Sequence, residues 1–361
     1  MLSFYLIWSP DPSVFPGLDI PRWYGVLFAL GFILSQQVMF WIYRKEGKDE
    51  KAVDKLTIYM VVATVVGARL GHCLFYDPVY YLSHPLEILM IWQGGLASHG
   101  GALGIFVALW LFARNQKIHY YWILDRVAIV VCLTGACIRM GNFMNSEILG
   151  KPTESSYGVV FPKSVEALLM YRNTDRIEDI TFEKGGNKEA SPGLVPMKII
   201  LTYKRGMEMD EVRTYDFFQS NVKNALINYR EASEHIYEDP DEPLDVNFFK
   251  VDGKYIAEIS TLGIARHPAQ LYESIFCVLL MLLTGHLWYH HRHQLNEGII
   301  FGVFMLGLWS FRFAVEFLKE NQEAWEADIP LNMGQWLSIP MAIAAIVIIV
   351  VQATKKKETT A

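Results

Sequence analysis

Twenty-one consecutive residues, Trp23 to Tyr43, carry no formally charged side chain. A helix needs about 20 mostly apolar residues to cross a bilayer, and in lipid every backbone polar group must be satisfied within the protein. The chain repeats the pattern at Leu56–Tyr76, Gly94–Ala113, Tyr121–Met144, Leu271–Tyr289, Ile299–Phe317 and Trp336–Ala353. These stretches predict an all-α polytopic membrane protein with seven transmembrane helices. The third departs most from good helix, because Gly94, Gly95, Gly100 and Gly101 crowd its first turns. It is expected to start as a broken or re-entrant segment.

Between the fourth and fifth stretches lies a segment of different composition. Residues 151–260 hold 14 Lys and Arg against 20 Asp and Glu, which accounts for the whole net charge of −6. That balance argues against a nucleic-acid partner, which calls for a basic excess. Within the segment, Pro196–Tyr203 and Val246–Ile259 read as strands and Phe217–Tyr237 as a helix, so an inserted α/β cap is expected. The organisation is then helices one to four in residues 1–150, a head in 151–263, and helices five to seven with a tail in 264–361. The start of the chain has no basic residue before its short apolar run. It does not read as a cleaved secretory signal, and the first span is expected to stay as an anchor.

Basic residues in short loops set orientation. One side carries Arg44, Lys45, Lys48, Lys51, Lys55, Arg114, Lys117, Arg126, Arg292 and Lys355–Lys357, while the other side's short segments carry only Arg22 and Lys319. The N-terminus is therefore expected outside, the C-terminus in the cytoplasm, and the head extracytoplasmic. The four cysteines stand in apolar runs without a CxxC pair, which reads as core packing. No sequence pattern calls for a metal or another cofactor.

Ionisable side chains inside membrane spans are costly, about 2.5–3.5 kcal/mol each on insertion scales, and mark functional sites. This chain places Arg69 and His72 in span two, His99 in span three, Arg139 with Asn142 in span four, Glu273 at the start of span five, and Arg312 with Glu316 at the end of span six. With alternating span direction, all of them fall in the outer half of the bilayer, as does Tyr24 at the head of span one. Arg69 and His72 share a helix face with Tyr76, and Arg139–Asn142 and Arg312–Glu316 are also one turn apart. Interhelical salt bridges explain part of this set. Two arginines at headgroup depth ask for more, since guanidinium groups make forked bonds to phosphate oxygens. A phospholipid headgroup is the expected ligand.

The polar motifs resemble those of a known family. Arg139-Met140-Gly141-Asn142-Phe143-Met144-Asn145-Ser146-Glu147-Ile148-Leu149-Gly150 is similar to the signature of the phosphatidylglycerol–prolipoprotein diacylglyceryl transferases of bacterial inner membranes. Trp23-Tyr24-Gly25, Gly67-Ala68-Arg69-Leu70-Gly71, His99-Gly100-Gly101, Arg266-His267-Pro268-Ala269-Gln270-Leu271-Tyr272-Glu273, Phe311-Arg312 with Val315-Glu316-Phe317, and Met333-Gly334-Gln335 complete the set in order. Three positions depart from the family pattern: Ile138 replaces a glycine, Arg22 a common histidine, and Leu308 a tyrosine found in some relatives. The insert is longer than usual, and the resemblance covers roughly residues 20–150 and 264–345, leaving 155–260 without a counterpart.

The resemblance implies transfer of the diacylglyceryl group of phosphatidylglycerol to the lipobox cysteine of a preprolipoprotein, with glycerol 1-phosphate released. It implies catalytic roles for His99, Arg139, Arg312 and Tyr24. Substrate contacts are expected from Arg139, Asn142, Glu147, Gly150, Arg312 and Glu316, together with Arg69, Gln270 and Glu273. The chemistry of these side chains fits: a thiol of pKa about 8.5 must lose its proton, an imidazole can accept it, and a departing phosphate ester needs cations. His99 suits either the base or a headgroup ligand. Glu316 is expected to orient Arg312, and Glu147 to hold the outer loop, with Gly150 permitting its turn. The rival class is a transporter or flippase of an anionic lipid or solute. Such proteins place their site near the midplane between repeats, whereas the inner halves of these spans are nearly uncharged and no repeat is visible.

Overall fold

Runs rich in Leu, Ile, Val and Phe give the long helices of the computed structural model, which describes residues 4–355 except 16, 19, 92, 93, 96, 156, 173–174, 208–209, 321–325 and 327–328. Lys356 and Lys357, counted above toward orientation, lie outside the described residues, as do Trp92, Gln93 and Leu96 before His99. Contact density divides the chain into two units. One comprises the residues up to Tyr24, Met140–Tyr272 and Val315–Pro330; the other comprises Gly25–Arg139, Glu273–Ala314 and the residues from Leu331 onward.

Among the described residues, six helices are long and apolar enough to cross a membrane: Trp23–Lys45, Lys51–Phe75, Tyr120–Met144, Ala269–His291, Ile299–Leu318 and Met333–Thr354. We label the α-helices α1 (Trp23–Lys45), α2 (Lys51–Phe75), the short α3 (Pro78–Ser83), α4 (Ser98–Gln116) and α5 (Tyr120–Met144). The expected third span corresponds to α4, which is not among the six. It has 19 residues but opens on Ser98-His99-Gly100-Gly101 and closes on Arg114-Asn115-Gln116. The uninterrupted apolar run of α4 is thus too short for the ~30 Å hydrocarbon core. Of the six, α5 is the most buried, and Ile42, Leu109, Phe112, Ile123 and Trp288 form the centre of the core around it.

Helices α2 and α4 approach backbone to backbone. A methyl group on Gly100 would stand 2.2 Å from the Gly67 carbonyl oxygen and 2.6 Å from the Gly71 Cα. Small residues on the facing turns, Gly67 and Gly71 against Gly100 and Gly104, permit this spacing. The contact fixes the start of α4, where His99 stands.

The other unit begins with β1 (Phe4–Ile7), which pairs in parallel with β2 (Tyr157–Val160). Its main sheet follows α6 (Lys163–Arg172) and is antiparallel: β3 (Ile177–Lys184), β4 (Leu194–Tyr203), β5 (Ile236–Tyr237), β6 (Asp245–Val251) and β7 (Lys254–Ile264). The order is β3-β4-β7-β5, with β6 also on β7. Along β4, Val195, Met197, Ile199, Leu201 and Tyr203 are buried at every second position, the period of a strand with one covered face. Val246–Ile259, expected as one strand, is a hairpin. Its turn is Asp252-Gly253, both at positive φ (49° and 77°), the conformation two-residue hairpins favour. The expected helix Phe217–Tyr237 is also broken up. It comprises the end of α7 (Glu211–Phe217), a wide turn at Phe218–Val222, α8 (Lys223–Asn228), α9 (Arg230–Ser233) and then β5. Helices α10 (Ala269–His291), α11 (Ile299–Val315) and α12 (Met333–Thr354) complete the chain.

Candidate active site

In the unit that carries the head, three segments distant in sequence converge. The first is the loop after α5. Its left-handed residues are Ser146 and Ile148 (φ 55° and 56°), so the turn does not run through Gly150. Gly150 meets a different demand: a Cβ there would sit 2.2 Å from the His267 carbonyl oxygen. Lys151 N–H donates to Leu318 O at 2.8 Å and Glu320 N–H to Leu149 O at 3.2 Å. These bonds tie residues 149–151 to 318–320 on one side while His267 passes on the other.

Glu147 is held inside this loop. Its carboxylate accepts from Asn145 Nδ2 at 3.2 Å and Asn142 Nδ2 at 3.4 Å, its backbone N–H donates to Asn142 O at 3.0 Å, and Gln270 Nε2 donates to its carbonyl at 2.5 Å. Gln270 is fully buried, and its Oε1 has no hydrogen-bond partner among the described residues. Trp8 stacks on Phe143 at 4.5 Å and donates its indole N–H to Phe143 O, which steadies the end of α5. The ring of Tyr24 packs on the same helix at Gly141.

Two buried cations of this unit were not assigned to the site from sequence. Lys319, 1% exposed, pairs with Glu316 at 3.1 Å. Arg266, 2% exposed, donates to Gly150 O and Glu234 O and pairs with Glu320. The i,i+3 spacing of Glu316 and Lys319 was a readable signal; the acceptors of Arg266 come from three separate segments and left none. Burial, aided by the Arg266 guanidinium and opposed by Glu234, pushes His235 down to about 4. Burial also lowers His267, whose Nδ1 stands 3.2 Å from the Tyr272 hydroxyl.

The remaining candidate residues belong to the other unit. Arg139 and Glu273 form an ion pair, Nε to Oε2 at 3.1 Å, with the Glu273 side chain buried and the Arg139 side chain 22% exposed. Arg69 is buried, and carbonyl groups take its donors: Ile88 O at 3.0 Å, Gly94 O at 2.7 Å, Gly95 O at 3.4 Å and Glu87 O at 2.5 Å. It thereby fastens the segment that precedes His99 to α2, helped by Ala97 N–H on Ala68 O at 2.9 Å. The rings of His72 and Tyr76 stack on the shared face at 5.3 Å. His99 itself is exposed in the first turn of α4. The Arg312 guanidinium stands 5.9 Å from the Trp309 ring centre. Met333-Gly334-Gln335 opens α12 with a capping box: Gln335 N–H donates to Asn332 Oδ1 at 2.9 Å, and Asn332 N–H to Gln335 Oε1 at 3.1 Å.

A family model described as prolipoprotein diacylglyceryl transferase matches residues 14–351. The chain belongs to the prolipoprotein diacylglyceryl transferase family. It is 34% identical over 358 residues to the phosphatidylglycerol–prolipoprotein diacylglyceryl transferase of Tolumonas auensis, covering 97% of this chain and 99% of that one. The enzymes of the same name from Porphyromonas gingivalis (32% over 360 residues; 97% and 95% covered) and Bacteroides fragilis (31% over 363 residues; 97% and 96%) are similar throughout as well. These matches run through residues 155–260, which the motif resemblance had left without a counterpart. The long head is therefore shared with prolipoprotein diacylglyceryl transferases of similar length.

Proposed function

We propose that His99, Arg139, Arg312 and Tyr24 carry out the reaction of this family. The chain is a multi-pass membrane transferase that adds the diacylglyceryl group of phosphatidylglycerol to prolipoproteins. The acceptor is the thiol of a lipobox cysteine, and the second product is glycerol 1-phosphate. The thiolate forms a C–S bond at the glycerol carbon of the lipid, and the C–O bond to phosphate breaks with its electron pair on the phosphate. His99 takes the thiol proton. Arg139 and Arg312 stabilise the charge on the departing phosphate ester, and Tyr24 and Asn142 orient the lipid by neutral hydrogen bonds. Glu147, Gly150 and Gln270 shape the loop beside Asn142, Glu273 aligns Arg139, and Glu316 with Lys319 fixes the turn after Arg312. Arg69 acts on substrate through the loop it fastens.

We further read α4 as a seventh span that begins below the membrane surface. The excess of basic residues at one set of helix ends supports a cytoplasmic C-terminus, an outward N-terminus and an outward head in a bacterial cytoplasmic membrane.

The observation that carries the site assignment is the Arg139–Glu273 pair: a partly exposed arginine side chain beside a buried glutamate, in two long helices apolar enough to cross a membrane. The test incubates the purified protein with phosphatidylglycerol and a lipobox peptide and follows the peptide by mass spectrometry. A diacylglyceryl increment on cysteine is expected. Arg139→Gln is expected to lower the rate by about 10²–10³, the effect of losing one donor to a developing anion. Normal turnover by a folded Arg139→Gln protein would remove the phosphate-clamp role.

A further inference from the structure

At the opposite end of the helices from Arg139 lies a polar cavity of about 340 Å³ that the transfer reaction does not use. Its wall includes Lys45 and Glu46 at the end of α1, Asp125 and Arg126 in α5, and Arg292 and Glu297 between α10 and α11. Arg126 and Arg139 are 13 residues apart on one helix, about 20 Å at 1.5 Å per residue, so this is a separate place from the catalytic residues.

Charges of both signs face the cavity, but they are not equally available. The Glu46 carboxylate accepts from Arg126 at 2.8, 3.0 and 3.1 Å and from the Trp288 indole N–H. Asp125 accepts from the backbone N–H groups of Gly298 and Phe301, both at 2.8 Å. Glu297 pairs with His119. Every acid in the wall is thus engaged.

Two cations keep donors without a partner among the described residues. Arg292 lies over the Trp288 ring at 5.0 Å and donates one bond to Tyr289 O, yet its Nε is buried without a hydrogen-bond partner. The ammonium of Lys45 makes no hydrogen bond or ion pair among the described residues. The Glu46–Trp288 bond holds the ring on which Arg292 rests, so the guanidinium is positioned before any ligand arrives. The uncommitted donors of the cavity are cationic, and the missing component is an anionic acceptor.

The depth is set by Trp41 and Tyr289, which stack with ring centres 6.0 Å apart and are both exposed. Such aromatic side chains mark the headgroup level of a bilayer, and basic pockets between membrane helices take anionic headgroups there. We infer that this cavity binds a phosphate group through Arg292 and Lys45, that of an anionic phospholipid in the leaflet opposite the catalytic residues.

The full-length protein in neutral detergent, titrated with phosphatidylserine and followed by native mass spectrometry, tests this. Phosphatidylcholine serves as the uncharged comparison and inorganic phosphate as the soluble source of the same group. One tightly retained phosphatidylserine is expected. Lys45→Gln/Arg292→Gln should hold it about 30-fold more weakly, each basic residue near an anionic headgroup contributing several-fold. Arg139→Gln, which alters the catalytic residues only, should retain it. Lipid displaced by millimolar phosphate in the wild type, but not in the double variant, would support the phosphate chemistry and assign its source to the soluble anion. Undiminished binding by the double variant, or loss of binding in Arg139→Gln alone, would overturn the site. The double variant should unfold at the wild-type temperature without anionic lipid. If it does not, Arg292→Gln alone is measured against Arg292→Lys, which keeps the charge and should bind more tightly than Gln.

Discussion

Gly100→Ala is the substitution whose effect follows most directly from the geometry. The added methyl would stand 2.2 Å from the Gly67 carbonyl oxygen and 2.6 Å from the Gly71 Cα, where ordinary contacts begin at 3.4 Å. Both obstacles are backbone, so no side chain can swing away. Helices α2 and α4 must separate by roughly 1 Å, and a gap of 0.5–1 Å forfeits a quarter to a half of the dispersion attraction across it. Overpacking of this kind costs about 1–3 kcal/mol. His99 precedes Gly100 and moves with α4, and in its proposed role as base a misplacement of ~1 Å is expected to lower the rate by about 10². The control is Gly285→Ala in α10, where the nearest atom, of Ile129, is 3.8 Å from the new methyl. That change fills ordinary space and removes a helix-interior glycine, a gain of up to ~1 kcal/mol. Thermal unfolding in micelles and peptide diacylglycerylation rates should therefore fall for Gly100→Ala and hold for Gly285→Ala. A Gly100→Ala protein with wild-type unfolding temperature and turnover would refute the argument that this contact sets the position of His99.

Lys319→Met leaves the buried Glu316 carboxylate without its 3.1 Å partner. Breaking a buried pair on one side costs about 3–5 kcal/mol, while Glu316→Gln/Lys319→Met should recover most of the loss in the same unfolding assay. Asn332→Ala removes the capping box of α12 and should destabilise by about 1 kcal/mol, with Asn332→Asp close to wild type. His235, pushed down to about 4 from about 6.5 in the unfolded chain, binds its proton more readily when unfolded. Stability is then full above pH 6.5 and declines as pH falls toward 4, by about 3 kcal/mol at most. His235→Gln should flatten that part of the profile.

The long helices were legible because length and apolarity alone decide whether a segment can cross lipid. The ends of α1, α5, α10 and α12 fall within three residues of the expected bounds. Residue 252 was a different case. Asp252-Gly253 is a strong hairpin signal, but the β-branched and aromatic run on both sides hid it. The wide turn at Phe218–Val222 has no glycine or proline to announce it. At the site, residue types on one helix face could be read, since that needs only a period of 3.6. What could not be read was Gly150 against His267, or Lys319 sealed beside residues 149–151, because those contacts depend on which distant segments meet. The glycines at 67, 71, 100 and 104 lie between: their four-residue spacing was visible, their mutual contact was not.

Helix α5 carries two arginine–glutamate pairs, and the contrast between them argues for their different uses. Arg126 and Glu46 are 8% and 9% exposed and joined by three bonds, with a second donor, the Trp288 indole, closing the carboxylate. A pair so enclosed has little reach left for a ligand, and its neighbours carry the uncommitted cations instead. Arg139 and Glu273 sit at the far end with the same residue types but uneven burial: the Glu273 side chain is 7% exposed and the Arg139 side chain 22%. A buried ion pair gives weak net stability, because desolvation offsets attraction, so stability alone is a poor reason to place an arginine there. An ion pair through Nε to a buried glutamate, with the arginine side chain partly exposed, orients the arginine without enclosing it. In the mechanism proposed above, that arrangement suits a phosphate leaving group, since a donor fixed in advance needs no reorganisation when the charge develops.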